Sequence, residues 1–245
     1  MEPSLEKLVQ KNKPLLTELE QVIGYRFTDL RLLQRSLIHS SFAFEQTEVG
    51  KDNEVFEFIG DAVLDLVIGH LLVTRYPTMR EGELTRIRAS LVNEHHLAAM
   101  ARSMELGRFL CLGKGENASN GRQKSSILSC AFEALVGAVF EDSEYTTAAE
   151  FVHRLFSAEI EQKKEELLLG DAKSRLQEEL QDTFNEAPTY RLDKEEGPSH
   201  CKQFTVSVLF RDKVLGTGLA GSKKEAEQRA AASALDASGV NDTNA

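Results

Sequence analysis

Cysteine is scarce in this sequence, with three in 245 residues (Cys111, Cys130 and Cys201), far apart, odd in number and outside any CxxC spacing. That argues against a disulfide framework and a thiolate zinc site, and it fits a reducing cytoplasm. Proline is scarce too, five in the whole chain, so long helices can run without interruption. Extended apolar runs are missing. The N-terminal stretch MEPSLEKLVQKNKPLL has no continuous hydrophobic segment, and the most apolar helix candidate, residues 63–73, is broken by Asp65, Gly69 and His70. Neither a signal peptide nor a membrane span is expected. Positive charge is in deficit, with 29 basic side chains against 39 acidic ones and a formal charge of −10. Indiscriminate attachment to nucleic acid or to an anionic membrane is therefore disfavoured, and a polyanionic partner must meet a local basic patch. What is present, 41% hydrophobic and 28% charged residues, suits a folded chain with room for one large domain or two smaller ones.

Two segments follow different patterns. From about Leu5 to Glu166 the apolar residues recur at helical spacing, as in Val63, Leu64, Val67, Ile68, Leu71 and Leu72, and again in Phe132, Leu135, Val136, Val139 and Phe140. Each stripe must bury against another helix, which predicts an all-α bundle. The glycine-rich polar stretch 113–122 reads as a long mobile loop. A charged run, 161–166, then reads as a helix end, with Gly170 as its stop. Beyond it come an amphipathic helix from Ser174 to Thr183, a turn at Gly197-Pro198, and an alternating strand with Phe204, Val206, Val208 and Phe210 on one face. A turn at Arg211-Asp212-Lys213, a partner strand and a helix from Lys223 to Leu235 complete a small α+β (α-β-β-β-α) unit. The expected boundaries are 1–160 for the helical domain, 161–170 for a linker, 171–238 for the second domain and 239–245 for a disordered tail.

The segment 53–64, NEVFEFIGDAVL, is the most informative. At 100° per residue Glu54, Glu57 and Asp61 fall on one stripe of a helix whose other faces are apolar. Three clustered carboxylates repel unless a hard divalent cation sits among them; a solvated acidic face would look the same, and Asp65 continues the stripe, so periodicity does not say where a site would end. Glu133 lies inside the apolar run 131–136, where an ionised carboxylate is costly unless paired or metal-bound. Glu81, in the mixed-sign cluster 81–88, reads on spacing alone as the start of a surface helix laced with ion pairs.

The string Asn53-Glu54-x-x-Glu57-Phe58-Ile59-Gly60-Asp61-x-Val63-Leu64 resembles the signature of the ribonuclease III family. Ser36-Leu37-Ile38-His39-Ser40-Ser41-Phe42 before it is similar to that family as well. So are the segments after it, from Tyr76-Pro77 through Glu81-Gly82-x-Leu84-Thr85 and Leu112-Gly113-Lys114-Gly115-Glu116 to Ala131-Phe132-Glu133-Ala134-Leu135, and the likeness covers most of residues 20–145. It implies an all-α, dimerising endonuclease for double-stranded RNA that depends on Mg2+, with Mn2+ as a substitute. It further implies 5′-phosphate and 3′-hydroxyl products with staggered ends, and a role in rRNA and mRNA processing in the cytoplasm. By position, Glu57, Asp61 and Glu133 would be the metal ligands. Asp61 and Glu133 would also serve the chemistry, with Glu54 and Glu81 as accessory acids near the scissile strand, supplied to it across the dimer. Phe58 would anchor a partner subunit, although as a bare sequence feature it reads as core. In that family the residue three before the last glutamate is most often aspartate; here it is Cys130, a poor magnesium ligand. Two readings follow, an enzyme with altered metal binding or a duplex-RNA-binding protein with a weakened site.

Residues 171–238 resemble a double-stranded RNA-binding domain through Gly197-Pro198-x-His200-x-Lys202-x-Phe204 and Gly216-x-Gly218-x-Ala220-x-Ser222-Lys223-Lys224-x-Ala226-Glu227. The resemblance implies that Ser174, Gln177, Glu178 and His200 touch the minor groove and that Lys223 and Lys224 hold phosphates. Independently of it, Ser222 and Glu225 have capping-box spacing. Lysines at a helix start oppose the macrodipole unless an anion arrives, and residues 200–224 hold five basic side chains against one acid.

Overall fold

The computed structural model describes residues 3–46, 49–198 and 201–238; the tail expected at 239–245 and His200 lie outside them. By its contacts the chain divides into Met1–Glu161 and Gln162–Ala245.

The two strongest apolar stripes become the two central helices of the first unit, α4 (Glu54–Arg75) and α8 (Ser125–Asp142). Phe56, Val63, Leu64, Val67, Ile68 and Leu72 are buried on α4, and Phe132, Leu135, Val136 and Val139 on α8. A glycine on each helix sets their separation. A Cβ on Gly60 would lie 1.8 Å from the Glu133 carbonyl oxygen, and one on Gly137 would lie 2.1 Å from the Phe56 carbonyl oxygen. Both distances are far inside van der Waals contact, so the helices cross backbone to backbone and only glycine fits. Around this pair lie α1 (Pro3–Ile23), α2 (Leu30–Ser36), α3 (Ser40–Glu45), α5 (Glu81–Leu91), α6 (Glu94–Ser103), α7 (Lys114–Ala118) and the start of α9 (Tyr145–Phe184).

Two sequence expectations are corrected. The stretch 113–122, expected as a mobile loop, holds α7 and enters a 3-10 turn at Gly121–Gln123. Its polar side chains are consumed locally: the Arg122 guanidinium donates to the carbonyls of Gly107 (2.7 Å) and Leu110 (2.8 Å), and Lys124 pairs with Glu116 at 2.5 Å. The segment 161–170, expected as a linker with a stop at Gly170, is helical and continuous with α9. One interior glycine costs a helix only about 1 kcal/mol, and the Glu, Lys and Leu residues before it are strong helix formers.

In the second unit β1 (Thr189–Glu196), β2 (Gln203–Phe210) and β3 (Lys213–Ala220) form an antiparallel sheet in that order. α10 (Lys223–Ser238) covers β2 and β3. The buried residues Val206 and Val208 pair with Gly218 and Gly216. The missing side chains on β3 let α10 approach, since a Cβ at Gly218 would stand 2.2 Å from the Ala226 carbonyl oxygen. Ala172, Leu176 and Leu180 of α9 join Val208, Ala230, Ala231 and Ala234 in the core. The β2–β3 turn is tighter than expected: Arg211 and Asp212 alone form it, both at positive φ (47° and 65°), and Lys213 already pairs with Phe210. This is the backbone of a two-residue hairpin turn, and Arg211 is steadied there by Glu186 (2.7 Å) and the rings of Phe184 and Phe210.

Candidate metal centre

Because α4 and α8 touch at Gly60 and Gly137, the acids flanking that crossing meet. Glu54, Glu57 and Asp61 from α4 and Cys130 and Glu133 from α8 line one open cleft of about 630 Å³. Ligand atoms of Glu57, Cys130 and Glu133 all lie within 4.8 Å of one another. Asp65, on the same stripe, is outside the cleft and faces Arg88 at 3.6 Å, so the site stops where a cation of the protein's own begins.

Electrostatics make the cleft an unstable place for bare acids. Burial, then the charges of Asp61 and Glu57, push the Glu133 carboxyl up to about 7. The Cys130 thiol is pushed up to about 12, by burial first and then by its hydrogen bond to Glu57 and the charges of Glu57 and Glu133. A group of acids that raises the proton affinity of its own members is suited to a cation, which would relieve the repulsion with oxygen ligands. Glu57, Asp61 and Glu133 supply oxygens suited to a hard divalent ion; Cys130 brings a neutral thiol at its edge.

Not every sequence candidate joins this cluster. Glu81 begins α5, is exposed, and its carboxylate accepts from the Thr85 hydroxyl at 2.9 Å rather than lining the cleft. Phe58, which bare sequence logic places in the core, is 77% exposed. It belongs to an uncovered stripe of α4 with Val55, Leu66 and Val73, each more than half exposed. His39 also lines the cleft; it stands 18 residues before Glu57, and no local spacing linked it to the acids.

In the second unit Ser174, Gln177 and Glu178 share the exposed face of α9 opposite Ala172, Leu176 and Leu180. Lys223 and Lys224 are exposed at the start of α10, and neither has an ion-pair partner among the described residues. Ser222 caps α10 by accepting from the Glu225 amide (3.2 Å), but the reciprocal arm of the expected capping box is not formed: Arg229, one turn on, takes the Glu225 carboxylate at 2.7 Å. The basic excess read from residues 200–224 is likewise smaller in space, since Lys202 pairs with Glu195 and Arg211 with Glu186. Two lysines at a helix start remain its centre.

A helical unit carrying a two-helix acid cluster, followed by an α-β-β-β-α unit with unpaired lysines at a helix start, defines a nuclease domain joined to a duplex-RNA-binding module. The Ribonuclease-III-like family model matches residues 29–160, and that of the double-stranded RNA binding motif matches residues 172–237. Ribonuclease 3 of Desulfotalea psychrophila is 64% identical over 231 residues, covering 94% of this chain and 96% of that protein. Ribonuclease 3 of Oleidesulfovibrio alaskensis is 45% identical over 222 residues, covering 91% and 97%. The nuclease domain of ribonuclease III from Campylobacter jejuni matches with a TM-score of 0.54 at 39% identity, over 58% of this chain and 94% of that one. A second structure of that domain, concerned with flexibility in a region involved in its dimer formation, matches with a TM-score of 0.53 at 40% identity, over 57% of this chain and 94% of that one. The chain belongs to the ribonuclease III family. Among the described residues no helix is long and apolar enough to cross a membrane.

Proposed function

We propose that this chain is an endoribonuclease that cuts both strands of double-stranded RNA with the help of Mg2+, or Mn2+ in its place, leaving 5′-phosphate and 3′-hydroxyl ends with a short stagger. The endoribonuclease activity rests on family membership, and the choice of duplex RNA on the RNA-binding motif. The carrying observation for the metal is that Glu57, Asp61 and Glu133 line one cleft, where burial and the charges of Asp61 and Glu57 push the Glu133 carboxyl up to about 7. Glu57, Asp61 and Glu133 would hold the cation, which lowers the pKa of a bound water and stabilises charge on the reacting phosphate. Glu54 lines the same cleft and would orient the scissile strand. Glu81 does not line the acid cleft of its own subunit, which suits an accessory acid supplied to a partner. The uncovered stripe of Phe58, Val55, Leu66 and Val73 suits a second copy of the chain as that partner. Ser174, Gln177, Glu178 and His200 would read the minor groove, and Lys223 and Lys224 the phosphates between. The physiological setting is the processing of rRNA and mRNA in the cytoplasm.

Cys130 is a tuning residue in this reading, since Glu57, Asp61 and Glu133 together with water would supply the oxygen ligands that magnesium takes without it. The test is cleavage of a long duplex RNA with and without Mg2+, with Glu133→Ala and Cys130→Asp alongside and duplex binding measured in parallel. Mg2+-dependent cutting to 5′-phosphate ends is expected, lost at least 100-fold in Glu133→Ala and retained at lower Mg2+ in Cys130→Asp. Binding without cutting, with cutting gained only in Cys130→Asp, would instead make the natural chain an RNA-binding protein with a disabled site.

A further inference from the structure

His39 lines the acid cleft, yet nothing in the metal chemistry uses it. Its Nδ1 is occupied. As N-cap of α3 it accepts from the Ser41 backbone N–H at 3.2 Å, and the Ser41 hydroxyl stands 2.8 Å from the same nitrogen. Ser41 Oγ accepts from the Gly113 N–H at 2.9 Å, and because Nδ1 already accepts from the Ser41 backbone N–H, the hydroxyl is the donor in its own contact with that nitrogen. The ring is held from its backbone as well, because the His39 N–H donates to the Cys111 carbonyl at 3.1 Å. A neutral imidazole whose Nδ1 accepts carries its proton on Nε2. Nε2 has no hydrogen-bond partner among the described residues.

This tautomer limits what the ring can do. An Nε2 that already bears hydrogen has no lone pair for a metal and cannot take a proton from water; it can only donate. The carboxylates of Glu54, Glu57 and Asp61 in the same cleft have the opposite limitation, since when ionised they only accept, and Glu133 joins them once a cation displaces its proton. A ribose hydroxyl entering the cleft can donate to those acids, whereas a phosphate oxygen cannot, and any phosphate oxygen that the cation does not take needs a donor. We infer that His39 is a substrate-contacting residue whose Nε2–H donates to a non-bridging phosphate oxygen of the strand being cut, with Ser41 and Gly113 as the positioning pair that hold its tautomer. The inference rests on the nuclease reading above.

Two isosteres separate the roles of the ring's nitrogens. Asn supplies an acceptor where Nδ1 stood and is a good N-cap, so His39→Asn keeps α3 but is too short to place a donor at the Nε2 position; Gln places an amide N–H near it. In single-turnover cleavage of a duplex RNA with Mg2+, His39→Asn is expected to lose roughly 10- to 100-fold in rate, the range for one hydrogen bond to a charged acceptor. Its melting temperature and its duplex affinity should stay at the unmodified values, and His39→Gln should recover to within about fivefold. The loss in His39→Asn should persist on a duplex carrying 2′-deoxy nucleotides beside the cut. Full activity in His39→Asn, failure of His39→Gln to recover, or disappearance of the deficit on the 2′-deoxy duplex would each overturn the assignment. An unmodified chain that binds the duplex but never cuts it would overturn the nuclease reading and, with it, this one.

Discussion

Glu133 is a carboxylate whose fold works against its charge. Its proton affinity is raised by burial and by two acidic neighbours, so the native state holds a proton that the unfolded chain, near its ordinary 4.5, releases. The favourable contribution is present in full below about pH 4.5 and is lost as pH climbs through about 7. The metal-free protein is therefore expected to lose melting temperature between about pH 4.5 and pH 7 and to level off above that, and Glu133→Gln should flatten that slope; thermal scans across the range check it. Apparent Mg2+ affinity should move the other way, rising with pH until about 7, because the cation must displace the proton. Of this residue the sequence revealed the anomaly, an acid in an apolar run, but not its neighbours. The same holds for Asp65, which periodicity counts with the site and which Arg88 removes from it.

At the scale of elements the decisive feature is the packing of α4 on α8. The amphipathic stripes of both helices were legible, because burial at three- and four-residue spacing leaves a periodic trace in composition. Their separation was not, since a glycine in a string has the same appearance whether it ends a helix or admits another. Gly60 and Gly137 admit a backbone, and Gly170 does neither. Gly60→Ala is expected to cost at least about 2–3 kcal/mol, as overpacking does where no side chain can yield. The added methyl would also push Glu133 away from Glu57 and Asp61, so metal affinity should fall together with the urea midpoint. A midpoint unchanged within error would mean that the crossing tolerates a Cβ. The stretch 113–122 failed as a loop expectation for a related reason: its glycines and polar residues mark turns, but the ion pair and carbonyl hydrogen bonds that make those turns rigid come from Gly107, Leu110 and Lys124.

For the whole molecule, a chain of net charge −10 that engages a polyanion must do so through few cations, which makes each one count. Replacing both Lys223 and Lys224 with Ala is expected to weaken duplex binding and to reduce the slope of log affinity against log salt by roughly 2, about one for each phosphate no longer neutralised. Filter binding between 50 and 200 mM salt, on the order of the range where such slopes are read, checks this; an unchanged slope would place the phosphate-binding cations elsewhere. The amino-acid sequence by itself determined the helical class of the first unit, the strand alternation of the second and the acid stripe on α4, because each is a periodicity that the backbone imposes on neighbouring residues. Tertiary structure decided which acids share a cleft, that Glu81 stands apart from it, that Phe58 faces outward, and that His39 joins acids distant from it in the chain. Those are matters of which helices touch and how closely, set by backbone packing at two glycines, and no local spacing encodes them.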